Sequence, residues 1–366
     1  MRGEPADPRL FRLGELLTAR LGIHFAVERL DDLRRALHNA AGDLGFSGFE
    51  PCIQWLLSTP LRRRELEILA AHLTVGETYF FREAKIYEAL ETRVFPELIQ
   101  SRRGQDRNLR IWSAGCATGE EPYSIAILLR RVIADIGDWN VSILGTDINP
   151  RFLEKAREGK YTGWSFRGVP SWVREGYFRA MNRDCFQIDV CIRRMVAFAY
   201  LNLAEDVFPA LSNGTNAMDL IFCRNVLMYF EPPSAVRVIE NLRRCLVEDG
   251  WLVVSSAETS HTLFAAFEPV VIRGMTFYRK TGGYTPRLPE PVFVTEPIAG
   301  PAPGIGEMES LVDKAVITPP VFYEAVSTTH PEIRPETVEA EADPYREACA
   351  LFRHGRYGDA AVSLSA

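Results

Sequence analysis

Apolar residues recur at helical spacing through the first hundred positions, then give way to short apolar runs separated by turn residues. In FRLGELLTARLG and VERLDDLRRALHNAAGDLG the apolar positions fall three and four apart and the runs stop at Gly22 and near Gly45, so each predicts an amphipathic helix. EPCIQWLLS and LRRRELEILAAHL continue the pattern, which predicts a small all-α domain with a connecting helix over residues 8–100. From Leu109 the texture alternates. LRIWSA, VSILGTD, MVAFAYLNL, MDLIFCRN, WLVVSSAE and MTFYRK read as strands, with PYSIAILLRRVI, PRFLEKARE and SAVRVIENLRRCLVEDG as helices between them. Such alternation predicts an α/β, Rossmann-like domain over residues 105–284 with a parallel sheet covered on both faces. CFQIDVCIRR reads as a short antiparallel excursion, giving a small β insertion near 185–200.

Charge changes the picture only once it is localised. The net charge is −6, but residues 286–344 hold 11 acidic and 3 basic side chains, leaving about +2 for the remainder. That nearly neutral body disfavours a nucleic-acid binder of strongly basic type. The same stretch holds 11 of the 23 prolines, so residues 286–343 read as an acidic proline-rich linker. Beyond it, residues 344–366 contain L-F-x-x-G-x-Y-x-x-A-A, which resembles the start of a tetratricopeptide repeat and a possible protein-binding device; an ordinary amphipathic hairpin is the alternative. The chain carries 47% apolar and 25% charged residues, an ordinary globular composition, and no apolar run reaches the roughly 18 to 20 residues of a membrane span. With no signal-peptide pattern at its start, it reads as a soluble cytoplasmic protein that does not insert into membrane. Seven cysteines without a C-x-x-C pair and six scattered histidines point to reduced core thiols and no metal site.

Candidate chemistry gathers at the carboxyl ends of the predicted strands. The loop from Gly115 to Glu121 follows one strand and opens a helix, where open α/β sheets bind ligands. Its two acids would repel a pyrophosphate and favour a cationic amine or sulfonium, which points to S-adenosylmethionine rather than a dinucleotide. Asp147 ends the next strand and is placed to accept from a ribose diol; capping of the following helix together with Asn149 is the competing reading. Asn202 and Asp206 follow the third strand and Asn225 ends the fourth, on the same edge. In GETYFFRE, Phe80 and Phe81 read as interdomain packing. Arg82 could hold a carboxylate in bidentate fashion or form a plain salt bridge.

Taken together, VGETYFFRE, IWSAGCATGEEPYSIAI, LGTDINPRFLEKAREGKY, FCRNVLMYF and SSAETS resemble the CheR-type chemotaxis methyltransferases over approximately residues 10–282. The resemblance implies methyl transfer from S-adenosylmethionine, leaving S-adenosylhomocysteine, to glutamate side chains of methyl-accepting chemoreceptors. It implies that Thr78 and Arg82 touch the cofactor or the incoming carboxylate, that Glu121 contacts the methionine portion and that Asp147 holds the ribose. Asn202 and Leu203 would border the adenine, Asn225 and Val226 the methyl-donor end, and Tyr229 the transferred methyl. Gly115 supplies the close backbone approach. Gly76 stands where the family commonly has Asn, which leaves one cofactor contact open. Arg82 and Tyr229 are the candidates for orienting the acceptor. In this family a β insertion can dock a receptor tail. The rival expectations are a methyltransferase for another protein or a small acid, and a non-enzymatic module that binds S-adenosylmethionine or S-adenosylhomocysteine as a signal.

Overall fold

Four helices open the fold: α1 (Pro8–Leu21), α2 (Leu30–Asp43), α3 (Phe49–Ser58) and α4 (Arg63–Leu73). The computed structural model describes residues 7–103 and 107–282. The linker and the repeat-like tail expected beyond residue 284 lie outside the described residues. Asp7 starts α1 by accepting the Arg9 N–H at 2.9 Å, with Pro8 in the first turn, where a missing N–H leaves no acceptor unpaired. Leu10, Leu13, Leu17 and Leu21 form its buried stripe against Leu33, Leu37, Ile53, Leu56 and Leu69 of the other three helices. Each such leucine is worth about 2–5 kcal/mol against truncation to alanine.

The helical stretch resumes as α5 (Ala84–Ala89), passes through a π-helical turn (Leu90–Val94) and continues as α6 (Phe95–Arg102). Pro96 cannot donate to the carbonyl four residues earlier, and the wider turn sits just before it. By its sequence pattern this segment groups with the helical domain, as the connecting helix into the next unit. Its buried side chains, Ile86, Leu90, Phe95 and Leu98, instead share one core with Leu109 and Ile111 of the sheet. Phe80 and Phe81 likewise pack inside the larger unit rather than between domains. Phe80 meets the rings of Tyr161, Phe166 and Phe178, and Phe81 those of Tyr87 and Trp172.

Among the described residues ten strands follow in chain order: β1 (Asn108–Ala114), β2 (Asn140–Asp147), β3 (Lys160–Tyr161), β4 (Phe178–Asn182), β5 (Cys185–Ile188), β6 (Val196–Tyr200), β7 (Met218–Phe222), β8 (Leu246–Val253), β9 (Glu268–Ile272) and β10 (Met275–Arg279). Seven of them form one sheet in the order β6-β2-β1-β7-β8-β10-β9. The first five run parallel, with Ala114 opposite Thr146 and Ser113 opposite Phe222. The winding direction reverses between β1 and β7, and the crevice above that switch point is where α/β sheets take ligands.

Two sequence expectations are corrected. The sheet is mixed, because β9 and β10 form an antiparallel hairpin closed by Arg273 and Gly274, both at positive φ, so the chain reverses in two residues. The small β insertion spans Lys160 to Ile188 as the three-stranded sheet β3-β5-β4, not 185–200. Residues Val190–Arg193 are helical, and β6 belongs to the main sheet, its alternate residues packing beside β2.

Candidate active site

A cleft of about 1020 Å³, open mouth included, lies over the carboxyl ends of β2, β1 and β7 and is closed on one side by the end of α1 and the segment after α4. Arg82, Tyr229, Thr78, Gly115, Glu121, Asp147, Asn202, Leu203, Asn225 and Val226 all line it. Gly76 does not. A Cβ there would lie 2.5 Å from the Phe152 ring, so the position is filled from the side by an aromatic residue that itself lines the cleft. Asp206 also falls away, bonding to Asn241 at 3.0 Å and Arg244 at 3.4 Å on the helix Pro232–Cys245.

The loop after β1 is fixed before any ligand arrives. The N–H groups of Gly115 and Cys116 donate to the Thr146 carbonyl at 2.8 and 2.9 Å, tying the ends of β1 and β2 together. Gly115 has φ +75° and a Cβ there would stand 2.3 Å from Val226, so only glycine lets the two loops approach. The helix α7 (Glu120–Val132) then begins, and its two leading acids diverge. Glu120 is buried away from the cleft, accepting from Thr118 Oγ1 at 2.6 Å and Ser165 Oγ at 3.0 Å, and burial holds its pKa above the usual carboxylate range. Glu121 faces the cleft, accepts from Ser113 Oγ at 2.8 Å and pairs with Arg224 at 2.8 Å. The sequence argument from two loop acids therefore reduces to one, and Arg224 offsets its charge.

The capping role considered for Asp147 falls to its neighbour. Asn149 is the helix cap: its side chain accepts from the Arg151 and Phe152 N–H groups at the start of α8 (Pro150–Glu158) and donates to Thr74 Oγ1 at 2.8 Å. The Asp147 carboxylate takes the N–H of Ala117 at 2.9 Å and of Asn149 at 2.8 Å, and still borders the cleft. Burial pushes its pKa up to about 6 against these backbone donors, and it has no ion pair among the described residues. Asn202 is occupied otherwise: its side-chain N–H donates to the Arg20 carbonyl at the end of α1 at 2.8 Å. With Leu203, Leu21, Ile23 and Phe230 it borders the apolar end of the cleft.

At the other end, Arg82 donates to the Glu77 carbonyl at 2.7 Å, lies 5.8 Å from the Tyr79 ring centre and has no ion pair among the described residues. The plain salt bridge considered for it is not there. Tyr229 is held through its carbonyl by the His24 N–H at 2.8 Å. Two groups escaped the sequence reading. Arg224, with a side chain 2% exposed, pairs with Glu121 and with Glu83 at 3.4 Å and donates to the Arg82 carbonyl at 2.8 Å. Glu258 accepts the N–H groups of Asn225 and Val226 at 2.6 and 2.7 Å. Both left a trace: a charge directly after the apolar run MDLIFC, and the S-x-x-E spacing of a capping box at Ser255 to Glu258.

A nucleoside with a cationic side arm fits these residues. An acceptor carboxylate for a diol, an apolar wall for a base and Glu121 near the opposite end are all present. The family model for the CheR methyltransferase, SAM binding domain, matches residues 76–273. The chemotaxis protein methyltransferase of Borreliella burgdorferi is 31% identical over 252 residues, which is 68% of this chain and 87% of that protein. Chemotaxis protein methyltransferase 2 of Vibrio cholerae is 33% identical over 59% of this chain and 73% of its own length. From the match and the cleft together, the chain belongs to the CheR methyltransferase family and takes S-adenosylmethionine as its methyl donor.

Proposed function

We propose that the chain methylates glutamate side chains of methyl-accepting chemoreceptors, forming γ-methyl esters. The observation that carries this reading is Arg82, a guanidinium at the mouth of a methyl-donor cleft with no acidic partner among the described residues. Relatives named as chemotaxis methyltransferases support it. A glutamate with a pKa near 4.3 is ionised at neutral pH, so the acceptor needs no general base. When bound, S-adenosylmethionine supplies a methyl on a positively charged sulfur, which a carboxylate oxygen displaces in line to leave an ester and a neutral thioether.

The protein's part is alignment and exclusion of water. Arg82 orients the acceptor carboxylate from one side and Tyr229 from the other, while Thr78 and Val226 shape the passage between them. Arg82 is already hydrogen-bonded to the Glu77 carbonyl. That fixes the direction of the guanidinium and leaves its other N–H donors for the acceptor. Asp147 holds the ribose hydroxyls, Asn202 and Leu203 border the base, and Glu121 and Asn225 face the methionine portion, with Gly115 keeping the loop backbone close.

Incubation with labelled S-adenosylmethionine and receptor-enriched membranes tests the reading. Label on glutamate that is released by mild base is the expected result. Base-stable label, as on nitrogen, overturns the ester chemistry.

A further inference from the structure

We infer that Glu258 is a positioning residue whose carboxylate sets the spacing between the Arg82 turn and the Asn225–Tyr229 loop, and so the alignment of acceptor with methyl donor. This rests on the roles proposed above for Arg82 and Tyr229. Glu258 is 8% exposed and pairs with no cation among the described residues. Its oxygens are nonetheless fully used. Oε2 accepts from the Asn225 N–H at 2.6 Å, from Ser255 Oγ at 2.6 Å and from the Ser255 N–H at 3.2 Å. Oε1 accepts from the Val226 N–H at 2.7 Å and the Met228 N–H at 3.3 Å. A carboxylate offers about four lone-pair directions, so five donors saturate it.

Capping its own short turn would need only the two bonds to Ser255. The three bonds to residues 225–228 do something else. Asn225 has φ +57°, a left-handed conformation that asparagine takes more readily than most side chains but that the loop still has to hold. Glu258 helps to hold it by fixing the amide on that residue and on the one after. Val226 and Tyr229 on this loop both line the cleft wall. The same turn holds the opposite side. Ser256 donates through its N–H at 3.3 Å and its hydroxyl at 3.0 Å to Glu83 Oε2, and Glu83 also meets Arg224, which grips the Arg82 carbonyl. One turn, residues 255–258, is therefore the common anchor for Arg82 and Tyr229.

Glu258→Gln keeps the size but faces an amide NH2 toward N–H donors, so the loop loses part of its hold. The expected result is a kcat lower by about 30-fold, with S-adenosylhomocysteine affinity in calorimetry changed by less than about fivefold. Amide exchange over residues 225–228 should quicken by at least about tenfold, with the amides of β1 and β7 unchanged. A merely structural role would lower the melting temperature without this split. Unchanged exchange at 225–228, or unchanged kcat, overturns the inference. If the glutamine variant does not fold, Ser255→Ala removes one donor only and should lower kcat by about threefold with the same split; an unchanged kcat there overturns it too. If the unaltered chain methylates no receptor, the proposed function fails on its own, and the exchange measurement alone decides for or against Glu258.

Discussion

The two ends of the cleft treat buried charge in opposite ways. Around Arg82 and Tyr229, Arg224 meets Glu121 and Glu83, and Glu258, though without a cation, is saturated by five donors, so each of these carboxylates is fully partnered within the protein. At the far end Asp147 is buried with backbone N–H partners and no cation, and its pKa rises to about 6. Matched charges fix geometry at small net gain, because desolvation offsets most of their attraction. An unmatched carboxylate is poised for a ligand that brings donors to it. The contrast separates a part that sets alignment from a part that sets affinity.

The sharpest way to break this division is Arg82→Ala. Loss of a group that acts on the acceptor should lower kcat by about 10²- to 10³-fold and leave S-adenosylhomocysteine affinity within about threefold, read by single-turnover kinetics and calorimetry. Asp147→Ala should do the reverse, weakening S-adenosylhomocysteine binding by about 10- to 100-fold, the range for hydrogen bonds to a charged group. Equal affinity losses in the two variants would show that the ends are not distinct.

A third measurement sharpens the comparison through pH. The Asp147 pKa in the folded chain lies above its unfolded value of 3.8, at about 6. The ligand-free chain is therefore penalised by this group above pH 6, by about 3 kcal/mol, and is relieved of it as pH falls toward 4. Ligand hydroxyls need the charged form, so S-adenosylhomocysteine affinity should fall below pH 6 by up to about tenfold per unit, and Asp147→Asn should abolish that dependence. The smallest effect is expected from Gly76→Ala. The added methyl would press on Phe152, and overpacking of about 1 kcal/mol predicts several-fold weaker binding without a change in kcat.

Helices α1 to α4 and the five parallel strands were legible because their periodicity is local: Leu10, Leu13, Leu17 and Leu21 mark one face of one helix whatever lies opposite. The site candidates were legible for a related reason, since each sits where a strand ends. What the chain pattern does not display is partnership. Nothing near Asn202 indicates that its amide bonds to Arg20, 182 residues earlier. Nothing near Glu120 and Glu121 says that one turns inward and the other toward the cleft. Helix periodicity over residues 84–102 likewise reveals an apolar face but not that the sheet, rather than α1 to α4, receives it. The β9 strand, EPVVI, is short and begins with Glu and Pro, so its apolar signal was weak until its partner was seen.

The bond from Asn202 to Arg20 and the His24 N–H on the Tyr229 carbonyl join α1 and the segment after it to loops some two hundred residues further along. The pocket for the methyl donor is therefore walled by segments far apart in the chain, and it is complete only when both are in place.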